Sequence, residues 1–229
     1  MLVVGNTTDP DAGYVGERFA ERHMRLLRVW REEGLPEEVP AGTTVLLLLG
    51  SEWSVAHPVA LDVLKAECAL VRSAGQSGVP VLGLCYGAQV LAHAYGGRVS
   101  VAENPEVGLI SVETADETLV PPGPWWAFHN DVIETPAEAR LVARNGCGVQ
   151  AFALPLALGV QFHPELRPSV LEEWLERVPA LAVASPLAPS ELVALADHRE
   201  GDARRAAATL VDCFLNQFLG SHSAGSPDG

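Results

Sequence analysis

Residues 79–90 read VPVLGLCYGAQV, and their reading decides the fold. Val79 to Leu82 is an apolar run of strand length, and a helical pattern begins near Tyr86. Between them Gly83 and Gly87 flank Cys85, so the backbone has room to turn sharply and hold one side chain out, as in a nucleophile elbow. A buried strand that feeds directly into a helix is the repeating unit of a parallel sheet. Upstream, TTVLLLL at 43–49 is apolar on both faces and ends in Gly50-Ser51-Glu52, as a central parallel strand leading into a functional loop does. A helical pattern over about 58–74 joins the two strands. LVV at 2–4, the turn-rich GNTTDPDAG and a helical pattern over about 15–33, stopped by Gly34-Leu35-Pro36, give the same order once more.

This alternation predicts an α/β fold of the doubly wound, flavodoxin-like kind, with a mostly parallel central sheet and helices on both faces. Ligands in such sheets bind beyond the carboxyl ends of the strands. From about 98 to 162 the pattern changes to short strand-like runs (GLISVET, WWAFH, VQAFAL, ALGVQF), which predict an antiparallel extension. Residues 166–219 read as mostly helical. The expected organisation is one domain over 1–180, a helical C-terminal extension packed on it over 181–220, and a flexible tail over 221–229.

Composition narrows the function. Hydrophobic residues make up 48% of 229, ample for a core. The net charge of −14 argues against nucleic acid as a partner. No apolar run approaches the roughly 20 residues of a membrane helix, and MLVVGNTTDP lacks the basic start of a secretory signal, so a cytoplasmic location without membrane contact is expected. One lysine beside 14 arginines, in an alanine-rich chain, points to a GC-rich bacterial genome. The four cysteines are widely spaced and the histidines show no ligand spacing, so neither a metal nor a cofactor is implied.

The chemistry lies in a conjunction of features that are each weak alone. A lone cysteine after a strand is more often packing than catalysis. Cys85, however, stands where a helix N-terminus favours a thiolate. LGVQF at 158–162 runs into His163-Pro164-Glu165, which puts a base at another strand end. A histidine activates a cysteine and protonates its leaving group, and across the turn made by Pro164 the Glu165 carboxylate reaches the other imidazole nitrogen. The three side chains compose a Cys-His-Glu triad, provided that the fold brings 85 and 163 together.

GLCYGAQ followed by LAHAYGGRV, and GVQFHPE, resemble the two signature blocks of the class I, or triad-type, glutamine amidotransferases, and in part the amidotransferase half of GMP synthetases. The resemblance extends over about 43–167. It implies that Cys85 is the nucleophile, His163 the general acid and base, and Glu165 its orienting partner. It further implies that Gln89 holds the substrate and that the Tyr86 N–H is one oxyanion donor. The second donor comes from the loop Gly50-Ser51-Glu52-Trp53-Ser54, which departs from the family's Gly-Gly-Pro or Asn-Gly-Pro pattern, and either Gly50 or Ser51 supplies it. FHND at 128–131 resembles the family's His-Gly-Asp loop, which assigns His129, Asn130 and Asp131 to the amino-acid end of glutamine; Asn130 replaces a glycine there and tolerates a left-handed backbone. Glu106, in PEVG, is either a substrate contact or a solvated loop carboxylate. The pairs Trp125-Trp126 and Glu52-Trp53 either wall the site or belong to the core.

The activity that the resemblance implies is hydrolysis of the glutamine amide through a Cys85 thioester, giving glutamate and ammonia for a separate synthase, since the chain has no room for a synthetase half. Two alternatives stand beside it: a hydrolase of a γ-glutamyl conjugate with the same triad, and a noncatalytic amidotransferase-like binding protein.

Overall fold

The computed structural model describes residues 1–220, and the tail expected over 221–229 lies outside them. The leading unit is β1 (Leu2–Gly5), α1 (Gly13–Glu21), β2 (Leu27–Trp30), a single 3-10 turn (Arg31–Glu33) and β3 (Leu46–Leu48). After it come α2 (Leu61–Gln76), β4 (Val81–Leu84) and α3 (Tyr86–Ala94). Next are β5 (Arg98–Ile110), β6 (Glu113–Thr114), β7 (Trp125–Glu134), β8 (Arg140–Asn145), β9 (Gly148–Leu154) and β10 (Ala157–Val160). Three helices close the chain: α4 (Pro168–Arg177), α5 (Pro179–Ala182) and α6 (Pro189–Phe218).

The main sheet has the order β2-β1-β3-β4-β10-β9-β8-β6, and its first five strands are parallel. The last three run antiparallel. This is the α/β architecture expected, with the antiparallel extension at one end and a separate β5–β7 pair beside it. Side-chain alternation divides the core. Val45, Leu47 and Leu49 face the layer of α1 and α6, where Phe19 meets Phe214 edge to face. Leu46 and Leu48 face α2 and α3. A third cluster joins α4, α5 and the start of α6 to Val107, Trp126 and Phe128 of β5 and β7. Proline at N1 and the Ala188 N–H, which donates to Glu191 Oε2 at 2.8 Å, start α6.

The helix expected over 15–33 is a correction. It ends at Glu21, His23 takes φ 61°, and Leu27–Trp30 pairs in parallel with Leu2–Gly5 as an edge strand. An edge strand needs only one buried face, and Leu27 is left 57% exposed, so LLRVW carries too few constraints to separate it from a helix. Among the described residues no helix is long and apolar enough to cross a membrane.

Candidate active site at the carboxyl ends of the strands

Cys85 is the N-cap of α3, at φ 48° and ψ −107°, a conformation that costs free energy for a residue with a side chain. The glycines around it make the turn possible. A Cβ on Gly83 would fall 2.6 Å from the Gly87 carbonyl oxygen, and one on Gly87 would overlap that of Leu48. The Cys85 N–H donates to Val160 O at 2.8 Å, tying the elbow to β10, whose continuation carries the histidine.

His163 is buried, and its backbone N–H donates to Trp126 O at 2.7 Å. Its Nδ1 lies 2.8 Å from Glu165 Oε1. The free edge of the ring, with Nε2 lacking a hydrogen-bond partner, is on the Cys85 side. Burial opposes its protonation, but the neighbouring Cys85 and the Glu165 carboxylate bonded to Nδ1 outweigh that and raise the His163 pKa well above the usual histidine value. Glu165 is held through its backbone: the Tyr14 N–H donates to Glu165 O at 3.2 Å, and only a glycine at 13 permits this approach, since a Cβ there would overlap that oxygen. Gly50 sits between nucleophile and base, where a Cβ would lie 2.9 Å from His163 Cε1 and 3.7 Å from Cys85 Cβ. The fold thus brings 85, 163 and 165 together.

A cavity of about 280 Å³ opens over Cys85 and His163, lined among others by Ser51, Gln89, Asn130 and Asp131. Buried acceptors without partners border it: Gln89 Oε1 and Asp131 Oδ1. The other Asp131 oxygen accepts from Ser54 Oγ at 2.7 Å, and burial raises the Asp131 pKa. His129 also lines the cavity, its Nδ1 3.0 Å from Asp131 O. Asn130 lies within β7, and the left-handed non-glycine residues among those described are His23 and Cys85, so the glycine-to-asparagine exchange needs no special backbone here. Glu106 stands behind this wall: Asn145 Nδ2 and Gln150 Nε2 each donate to it at 2.6 Å, and His129 Nε2 is 3.3 Å away. Burial would raise its pKa, but these neighbours hold it below the usual carboxylate value. Glu52 and Trp53 line the cavity, whereas Trp125 and Trp126 are core, Trp125 stacking on Phe162 at 4.5 Å.

A family model for class-I glutamine amidotransferases matches residues 18–178. The chain belongs to that family. Among its relatives, a glutamine-hydrolysing GMP synthase from Aeropyrum pernix is 34% identical over 230 aligned positions, covering 90% of this chain and 43% of the relative. One subunit of such a synthase from Saccharolobus solfataricus is 41% identical over 98 positions, covering 39% of this chain and 52% of the relative. The chain therefore spans about half the length of these relatives. A solved glutamine amidotransferase from Thermotoga maritima, 22% identical, superposes with a TM-score of 0.82 over 93% of this chain and 96% of its own, a likeness of fold.

Other residues of this class-I amidotransferase reach the site without having been assigned a role from its motifs, Gln161 although it lies within GVQFHPE, and Trp174 and Arg177 from outside either block. Gln161 is buried, donates to Cys85 Sγ at 3.5 Å and accepts from Gln89 Nε2 at the same distance. Trp174 of α4 packs edge-on to His163 at 4.6 Å and donates to Asp9 Oδ2 at 2.8 Å. Arg177 bridges Glu52 at 3.3 Å and Asp9 at 3.5 Å, and Val178, Ala180 and Leu181 complete the cavity rim. Burial, and then the Glu165 charge, push Asp9 up to about 6. Away from the site, Cys68 is a core residue whose thiol burial pushes up to about 11.

Proposed function

We propose that this chain hydrolyses the side-chain amide of glutamine, and that the ammonia serves a separate acceptor enzyme. The Cys85 thiolate attacks the amide carbon, and the oxygen of the tetrahedral intermediate is bound by the Tyr86 N–H and an N–H of the Gly50–Ser51 loop. The His163 imidazolium gives its proton to the departing nitrogen, ammonia leaves, and a glutamyl thioester remains. A water, deprotonated by the same imidazole, attacks the thioester; Cys85 leaves as thiolate and glutamate is released. Glu165 holds Nδ1 so that Nε2 faces the sulfur throughout. Gln89 and Asp131 offer their free oxygens to the ammonium end of the substrate.

One observation carries this reading: an elbow cysteine, strained at φ 48°, stands across Gly50 from a buried histidine that has one unpartnered nitrogen and the other 2.8 Å from a carboxylate. Family membership supports it. So does the Saccharolobus relative, which is one chain of a multi-chain GMP synthase; an ammonia-using synthase chain would be its complement here. The test is release of ammonia and glutamate from glutamine by the wild type and by Cys85→Ala, with γ-glutamyl methylamide as a second substrate. Turnover of glutamine that disappears in Cys85→Ala is expected. Turnover retained by Cys85→Ala would overturn the reading, and preference for the methylamide would move it to γ-glutamyl conjugates. Glutamine binding without turnover of either compound would make this a binding protein.

A further inference from the structure

The most completely buried ion pair of the described residues, Arg31 with Glu67, lies beside the site and takes no part in the chemistry above; both side chains are 0% exposed. Its position in the chain carries no motif: Arg31 opens the 3-10 turn after the edge strand, and Glu67 lies within α2. Arg31 uses its whole fork. Nε and one Nη grip Glu67 at 3.0 and 2.8 Å. That same Nη2 donates to Leu49 O at 2.9 Å, while Nη1 donates to Asn6 Oδ1 at 2.7 Å and to Gly50 O at 3.3 Å. The guanidinium also lies over the Tyr86 ring, 4.7 Å from its centroid.

The partners matter more than the pair. In a planar trans peptide the N–H points opposite to the C=O. Fixing the carbonyls of Leu49 and Gly50 toward Arg31 therefore fixes the N–H groups of Gly50 and Ser51 away from it. Ser51 lines the cavity, and Gly50 is packed between Cys85 and His163. Tyr86, whose ring the guanidinium covers, supplies the other N–H beside Cys85. We propose that Arg31 is a positioning residue that presets both halves of the oxyanion-binding backbone, with Glu67 and Asn6 holding its fork in register. The inference rests on the hydrolytic reading above. Lysine cannot replace this arginine, because one ammonium has three donors on a flexible stem where five are used in a plane.

The experiment compares wild type, Arg31→Lys, Arg31→Met and Glu67→Gln in glutamine hydrolysis, measured well below each melting temperature. Cys85 alkylation by iodoacetamide is followed in parallel as a readout of the thiolate. For Arg31→Lys, which keeps the charge facing Glu67, kcat is expected to fall by about 10- to 10²-fold, reaching the lower end of the roughly 10² to 10³ for one lost oxyanion donor because the donors are misplaced and not removed. KM is expected to stay within about threefold and the alkylation rate within about twofold. Glu67→Gln falls between wild type and Arg31→Met. A lower melting temperature with an unchanged kcat in Arg31→Lys would make the pair purely structural and overturn the proposal. A loss confined to KM, or matched by the alkylation rate, would overturn it equally. A wild type that does not hydrolyse glutamine would refute the hydrolytic reading itself.

Discussion

Replacing Gly50 by alanine adds one methyl group where the site has no room for it. The new Cβ would stand 2.9 Å from His163 Cε1 and 3.5 Å from Nδ1. Ordinary contact begins near 3.4 Å, so either the ring or the loop must retreat by about 0.5 Å. The ring cannot retreat freely, because Glu165 holds Nδ1 at 2.8 Å and Trp174 packs on its edge at 4.6 Å. If the ring yields, a displacement of this size costs on the order of 10-fold, since about 1 Å costs up to 10²-fold. If the loop yields, an oxyanion donor moves and the loss is about 10² to 10³. Gly50 does not have positive φ, so no backbone strain enters and the melting temperature is expected to change by only a few degrees. Steady-state glutamine hydrolysis and a thermal melt check both halves. A Gly50→Ala enzyme within twofold of wild type would refute the placement of this loop between nucleophile and base.

Glu165→Gln is expected to lower kcat by about 10² to 10⁴, less than the roughly 10⁶ expected for Cys85→Ala, because it orients the base without making bonds; equal losses in the same assay would give Glu165 a different role. Gln89→Ala should raise KM by about 10-fold or more with a smaller change in kcat, since Gln89 lines the cavity and its amide oxygen has no partner within the protein; an unchanged KM would remove Gln89 from substrate binding. Asp9 is raised from 3.8 to about 6, so the folded state binds the proton more tightly and its stability falls as pH rises through that window. Above pH 6 the charged form costs up to about 3 kcal/mol. Asp9→Asn, which still accepts from Trp174, is therefore expected to stabilise the protein in urea unfolding at pH 7.5 and not at pH 4; destabilisation at both would contradict the sign.

The parts of the fold that were legible are those where one residue type answers one steric demand. GLCYG needed small residues beside Cys85, and the close approaches at Gly83 and Gly87 are the physical cause. VLLLL, apolar on both faces, reads as a central strand, and Leu46–Leu48 lies between β1 and β4 in the sheet. The edge strand at 27–30 was hidden because apolar residues at 26, 27, 29 and 30 fit either period when one face is solvated. β8, within ARLVARN, is hidden for the same reason, since Arg140 and Arg144 interrupt the apolar run and Leu141 is 41% exposed. Around the cavity, the elbow and the His-Pro-Glu turn were readable because local spacing defines them. Asp9 was concealed in a segment rich in turn residues, and Trp174 and Arg177 look like ordinary members of an amphipathic helix. Arg31 and Glu67 are 36 residues apart in separate elements, and only the folded chain joins them.

The central claim is a glutamyl-binding thiolate at Cys85. Its most direct measurement is the intact mass of the protein after incubation with 6-diazo-5-oxo-L-norleucine, with Cys85→Ser and a glutamine-protected sample alongside. The expected result is a single adduct on the wild type, absent from Cys85→Ser and slowed by glutamine. An adduct that persists in Cys85→Ser, or that glutamine does not slow, would contradict the claim.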